Sequence, residues 1–288
     1  MIDVVAAASI GWGVIFAGWV LHASAAGERS IRYRRVVRVP VWIAVALSET
    51  AVCLTGMPTA WGLLLLAATA VCALELATSV ASTPLPWMFA VIVLGAAWIV
   101  LPPSGLGAVP ATAAVVLFAI PYRAGPPGLA VARAASLVYF GAAPLVSFAA
   151  VGDRRELSVA FAAAATTHVA DIAAGLVGKL GGWRPLPRLS PGKTLAGFTG
   201  AVLGGCAMGG LVYGYGIGVP PARAAVLGAV VAATGAVGDL AASKIKRLVN
   251  VKDFGGLLGP HGGMADRIDS VVLVMAMLPI LSGWARPR

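Results

Sequence analysis

The chain has 288 residues, of which 59% are hydrophobic and only 11% charged. A soluble domain carries about 25% charged residues, so a soluble globular protein is excluded and an integral membrane protein is expected. The net charge of +10 lies between hydrophobic segments; it points to membrane topology, membrane lipids and phosphate ligands, and no nucleic-acid partner is expected.

A membrane-crossing helix needs about 20 apolar residues. Ten segments approach that length, at 4–22, 40–56, 60–80, 85–101, 106–121, 129–150, 156–177, 196–216, 221–241 and 269–284. The expected fold is all-α: a polytopic integral membrane protein with about nine to ten transmembrane helices. The first segment lacks a basic flank and follows Asp3, so it reads as a retained span rather than a signal peptide. Gly and Pro punctuate the joints, as at Gly56, Pro58, Pro102, Pro103, Pro121, Gly125, Pro220 and Pro221. The run from Arg29 to Arg38 reads as an anchor on anionic lipid. Cys53, Cys72 and Cys206 sit in apolar stretches and read as small buried hydrophobes, not as a disulfide framework.

Basic residues set the expected orientation. With 28–38 in the cytoplasm, ten spans put 81–84, 122–128, 178–195 and 242–268 on the same side. Those segments hold 15 of the 21 Lys and Arg residues, whereas Arg154, Arg155, Arg223, Arg286 and Arg288 face the other way and Arg133 is ambiguous. The two polar loops able to hold chemistry, 178–195 and 242–268, would then face the nucleotide-containing compartment. The abundance of Ala, Val, Gly and Arg suggests a GC-rich bacterial genome.

The stretch 243–269 concentrates charge of both signs between hydrophobic spans. Such charge is costly beside lipid unless it has a function. Asp239, Ser243, Lys246 and Arg247 fall at i, i+4, i+7 and i+8, and would share one helical face. An acid, a hydroxyl and two cations on one stripe suit a metal-bridged phosphate. Asp266 and Asp269, at i and i+3, open the last span and would repel each other without a cation. His261, Gly262 and Gly263 form a turn whose backbone N–H groups could approach an anion. Lys252, Asp253 and Arg267 complete the island. Mg²⁺ suits this oxygen-rich set, whereas zinc does not, because the island has no cysteine and one histidine. The bland alternative is loop solvation and snorkelling anchors.

Two further features lie upstream. Asp171 stands inside a span, three residues after His168, and is either a functional group or half of a hydrogen-bonded packing pair. Glu49 and Glu75 are also acids within hydrophobic segments, but nothing near them in sequence points to chemistry. The run from Ser190 through Pro191, Gly192, Lys193 and Thr194 looks like half of a Walker A loop. The upstream glycine spacing and strand are missing, so a P-loop is rejected, while an oxyanion cradle at a helix start remains.

Read as a pattern, 243–269 is S-x-I-K-R-x4-K-D-x-G-x2-L-G-x-H-G-G-M-x-D-R-I-D. This resembles the phosphatidate cytidylyltransferase (CDP-diacylglycerol synthase) family. Asp171, Gly178, Lys179, Ser190, Pro191, Lys193, Thr194 and Gly197 match a second region of that family's pattern. Gly192, Ala196 and Ala201 depart from it, standing where the family has Lys, Glu and Gly. The resemblance covers roughly 165–270. It divides the chain into N-terminal transmembrane helices of divergent sequence (1–150) and a C-terminal catalytic transmembrane region with cytoplasmic polar loops (151–288).

The resemblance implies a nucleotidyltransferase of bacterial phospholipid biosynthesis, in the cell membrane with its active site facing the cytoplasm. CTP and phosphatidate would give CDP-diacylglycerol and pyrophosphate, with Mg²⁺ and K⁺ as candidate cofactors and a homodimer as a candidate assembly. It implies Asp239, Asp266 and Asp269 as metal ligands, and Lys193, Ser243, Lys246 and Asp171 as catalytic groups. Ser190, Thr194, Arg247, Lys252, His261, Gly262, Gly263 and Arg267 would bind substrate. The alternatives are a CTP-dependent transferase for another membrane lipid phosphate, such as an isoprenoid-ether lipid, and, in a different class, a transporter using Asp171, Glu49 and Glu75.

Overall fold

The computed structural model describes residues 1–24, 38–80, 83–102, 105–122, 125–180, 185–186, 190–257 and 262–286. Among them the helices are α1 (Ile2–Ser24), α2 (Arg38–Thr55), α3 (Pro58–Ser79), α4 (Pro84–Val100), α5 (Ala108–Ala119), α6 (Pro126–Ala150), α7 (Arg154–Leu180), α8 (Leu195–Gly209), α9 (Pro221–Leu248), α10 (Ala265–Ala276) and α11 (Leu278–Trp284). Each segment predicted from hydrophobicity coincides with helix. Among the described residues five helices are long and apolar enough to cross a membrane, or six if α10 and α11 form one span broken at Met277. Side chains such as Leu74, Ile99 and Val100 point outward, as lipid solvation permits. The protein is an all-α membrane protein, with one short hairpin among the described residues, and its three cysteines are free.

That hairpin pairs β1 (Pro185–Leu186) with β2 (Ser190–Thr194), antiparallel. It corrects the reading of 178–195 as plain loop. Pro185 and Pro191 hold φ near the extended range, and a two-stranded ribbon has the edge positions where proline is tolerated.

Contacts divide the chain into two units. The first comprises Met1–Trp61, Asp153–Ala236 and Leu281–Arg288; the second comprises Gly62–Gly152 and Val237–Ile280. In the first, α7 packs along α8. Ala170, Ala201 and Ala232 meet in its core, and small side chains of this kind let helix backbones approach closely. Phe161 is fully buried and meets Trp12 edge-to-face at 5.7 Å. A seven-residue π-helical turn, Gly210–Gly216, continues α8.

Thr194 is the N-cap of α8, and its hydroxyl accepts the Gly197 N–H at 3.0 Å. Gly178 of α7 lies so near that a Cβ there would stand 3.0 Å from the same hydroxyl. Thr194→Ala removes the cap acceptor and should destabilise the protein by about 1 kcal/mol, read as a lower melting temperature in detergent.

In the second unit α6 packs against α4, α5 and α10. Tyr139, Phe140 and Phe254 form a series of edge-to-face contacts at 5.4 Å each. Phe254 is fully buried, so this series pins the segment after α9 onto α6.

Candidate active site

Helix α9 continues to Leu248 without interruption. Asp239, Ser243 and Lys246 therefore lie on one helix at the predicted spacing, all half-buried, with Arg247 exposed beside them. Asn250 ends the helix at φ 58°, while the Val251 N–H donates to the Lys246 carbonyl at 2.9 Å. This is a Schellman-type stop, with asparagine supplying the left-handed residue. It turns the chain so that Phe254 can enter the core. Lys252 and Asp253 stay exposed on the turn.

Lys246 is the hub. Its Nζ donates to Asp266 Oδ1 at 2.8 Å and lies 4.0 Å from Asp269 Oδ2. Nζ also sits 5.1 Å above the Phe254 ring, a cation–π contact. Asp239 acts on the same ammonium electrostatically. The carboxylates expected to share a cation thus gather around a lysine head. The Lys246 and Asp266 side chains are 16% and 6% exposed, so solvent screens this pair far less than a surface pair.

Asp266 does more than pair with Lys246. Its Oδ2 accepts the N–H groups of Phe254 and Gly263, both at 2.9 Å. It therefore ties both ends of the loop between α9 and α10. Gly262 has φ 77°, and a Cβ there would stand 2.8 Å from Asp266 Oδ2; both facts require glycine. At the other side of the site, Gly238 lets α9 approach α10: a Cβ on it would meet the Asp269 carbonyl at 2.9 Å and the Tyr139 hydroxyl at 3.1 Å. Tyr139 donates to that Asp269 carbonyl at 3.3 Å. Arg267 is half-buried on the first turn of α10.

The Gly262–Gly263 turn does not present its neighbouring N–H groups to an anion as expected. Gly263 donates to Asp266, and Met264 and Ala265 donate to Glu75 Oε1 and Oε2 at 2.9 Å each. Glu75, on α3, is a site residue that the sequence reading set aside. Its only signal there was an acid within an apolar helix, because backbone donors leave no side-chain signature.

The upstream residues belong to the first unit. Asp171 is half-buried on α7, one turn beyond His168, and acts on the imidazole electrostatically. His168 Nε2 lies 3.0 Å from Glu49 Oε1, and both residues are buried. A hydrogen-bond partner of His168 is thus Glu49, supplied by α2, which the sequence reading did not pair with it. Glu49→Ala leaves the imidazole without that carboxylate, and a buried polar group that loses its partner costs about 1–3 kcal/mol. Glu49→Gln keeps a hydrogen-bonding group and should melt higher than Glu49→Ala. Lys193 is half-buried on β2, and Ala196 is buried in the first turn of α8. Ser190 lies on β2, with its side chain outside the described residues, and His261 lies outside them altogether.

Residues 29–283 match the cytidylyltransferase family. The chain belongs to that family. This family member is 43% identical over 103 residues to a phosphatidate cytidylyltransferase of Aquifex aeolicus, covering 35% of this chain and 38% of the relative. It is 38% identical over 172 residues to a Mycobacterium leprae protein of the same name, covering 55% and 54%. A Brucella suis protein, also so named, is 43% identical over 114 residues, covering 38% and 40%. The matched stretches thus span about half or less of the length of these curated relatives.

Proposed function

We propose that this cytidylyltransferase-family protein transfers the cytidylyl group of CTP to phosphatidate, giving CDP-diacylglycerol and pyrophosphate for phospholipid synthesis. The observation that carries this reading is the Lys246–Asp266–Asp269 cluster where α9 and α10 meet, in a chain that matches the cytidylyltransferase family over 29–283.

In the proposed reaction an oxygen of the lipid phosphate attacks the α-phosphorus of CTP. The bond from that phosphorus to the bridging oxygen breaks, and pyrophosphate leaves with the electron pair. A phosphate monoester is largely ionised near pH 7, so positioning and charge neutralisation dominate. Lys193, Lys246, Arg247 and Lys252 neutralise phosphate oxygens, and Asp171 orients a lysine or joins the metal shell. Ser190, Thr194, Ser243, His261 and Arg267 bind the substrates.

Asp239, Asp266 and Asp269 offer hard oxygen donors suited to Mg²⁺. Among the described residues no group of three His, Cys, Asp or Glu side chains is arranged to hold a metal ion by itself. Mg²⁺ requires only one or two carboxylates when substrate phosphates and water complete its shell, so the donor set fits. An ion held there supplies charge neutralisation, with K⁺ as a candidate companion. Residues 151–288 carry the chemistry and 1–150 the surrounding membrane helices. Ten spans in a bacterial inner membrane, with 178–195 and 242–268 in the cytoplasm, fit the distribution of basic residues.

The test is pyrophosphate release by the purified chain in detergent, with CTP and a panel of lipid phosphates, with and without Mg²⁺. Release that requires Mg²⁺ and phosphatidate is the expected result. Release only with an isoprenoid-ether lipid phosphate would change the acceptor, and no release with any acceptor would overturn the reading.

A further inference from the structure

Helix α3 contributes one acid to the second unit, and its carboxylate is fully engaged. Glu75 is 8% exposed. One of its oxygens accepts the Met264 N–H and the other the Ala265 N–H, both at 2.9 Å. These are the first free donors of α10, the helix that carries Asp266 and Asp269. The carboxylate also stands where Cβ atoms on Gly255 and Gly263 would fall. Both ends of the loop between α9 and α10 therefore close on one side chain.

A negative group at a helix N-terminus satisfies orphan donors and the helix dipole together. A capping acid normally comes from the helix's own first turn, as in a capping box. Here Met264 at the N-cap makes no side-chain cap, and the first-turn acid, Asp266, is turned toward Lys246, Phe254 and Gly263. Glu75 performs the capping that Asp266 would otherwise provide, leaving Asp266 free to face the lysine.

We infer that Glu75 is a positioning residue for the transferase site: it holds the start of α10 so that Asp266 and Asp269 face Lys246. It acts through those residues and touches no substrate. This deepens the reading under Proposed function and rests on it for its kinetic consequence.

The test uses the full chain with three variants. Glu75→Gln keeps the length but converts one acceptor into a donor facing an N–H. Glu75→Asp keeps the charge but shortens the reach. Glu75→Ala removes both. The expected kinetic result is a fall in kcat of about tenfold or more, with the KM for lipid phosphate unchanged within about threefold. The Mg²⁺ concentration for half-activation should rise, and Glu75→Gln should retain more activity than Glu75→Ala. A purely structural role would instead lower the amount of folded protein and leave the Mg²⁺ requirement of the remainder unchanged.

Hydrogen exchange supplies a readout independent of turnover. In the wild type, the Met264 and Ala265 amides should exchange at least tenfold more slowly than that of Gly256, and the variants should lose that protection. If the wild type shows the protection but does not consume CTP with any lipid phosphate, the transferase reading falls while the role of Glu75 in holding α10 stands. Wild-type amides at 264 and 265 exchanging as fast as Gly256 would overturn the inference. So would variants that keep the wild-type kcat and Mg²⁺ half-activation.

Discussion

Asp266→Asn should lower CTP-dependent lipid product at least about a hundredfold while the protein still accumulates in the membrane. The carboxylate accepts three hydrogen bonds, from Lys246, Phe254 and Gly263. An amide of the same shape has one acceptor oxygen, and its NH₂ must face either an ammonium or a backbone N–H. The charge partner of Lys246 is lost as well, leaving Asp269 at 4.0 Å. Removing one member of a buried pair costs about 3–5 kcal/mol. The Lys246 head keeps some exposure, so the lower end applies. Incorporation of labelled CTP into lipid and thermal unfolding of the same preparation measure the two effects. Full activity in this variant would end the assignment of Asp266 to the site.

Gly238→Ala should lower both stability and turnover. The added methyl would stand 2.9 Å from the Asp269 carbonyl and 3.1 Å from the Ser270 carbonyl. Neither is the end of a flexible side chain, so α9 and α10 must move apart. Overpacking of this kind costs about 1–3 kcal/mol. The shift separates Asp239 and Lys246 from Asp269, and a displacement of about 1 Å at a reacting centre can cost about a hundredfold in rate. Gly95→Ala is the matched control, since a Cβ there meets nothing within 4 Å. It should leave activity unchanged. Equal behaviour of the two variants would show that the close crossing at Gly238 is not needed.

Much of this arrangement was legible in the sequence, for identifiable reasons. Long apolar runs separated by Gly and Pro mark helices directly, because lipid leaves the backbone few other options. Asp239, Lys246, Asp266 and Asp269 stood out because charge is rare in such a chain. Helical spacing was enough to put each pair on one face. Residues that work through distant backbone groups were not legible in the same way. Glu75 and Glu49 looked alike on paper; one caps a helix and the other meets a histidine. The turn at 262–265 looked ready for an anion because its donors were visible in the pattern, while the carboxylate that takes two of them lies 189 and 190 positions earlier. The β1–β2 hairpin was missed because a short proline-containing ribbon has no alternating pattern to detect.

The distance along the chain between Glu75 and its partners bears on biogenesis. As the polypeptide leaves the ribosome, α3 enters the bilayer well before α10 has been made. Throughout that interval the acid on α3 has none of its final donors, and an unpartnered acid is unwelcome in hydrocarbon. Translation of α10, with the Met264 and Ala265 amides at its start, relieves it. A chain that stalls before α10 thus lacks the two backbone donors that this carboxylate has in the folded protein.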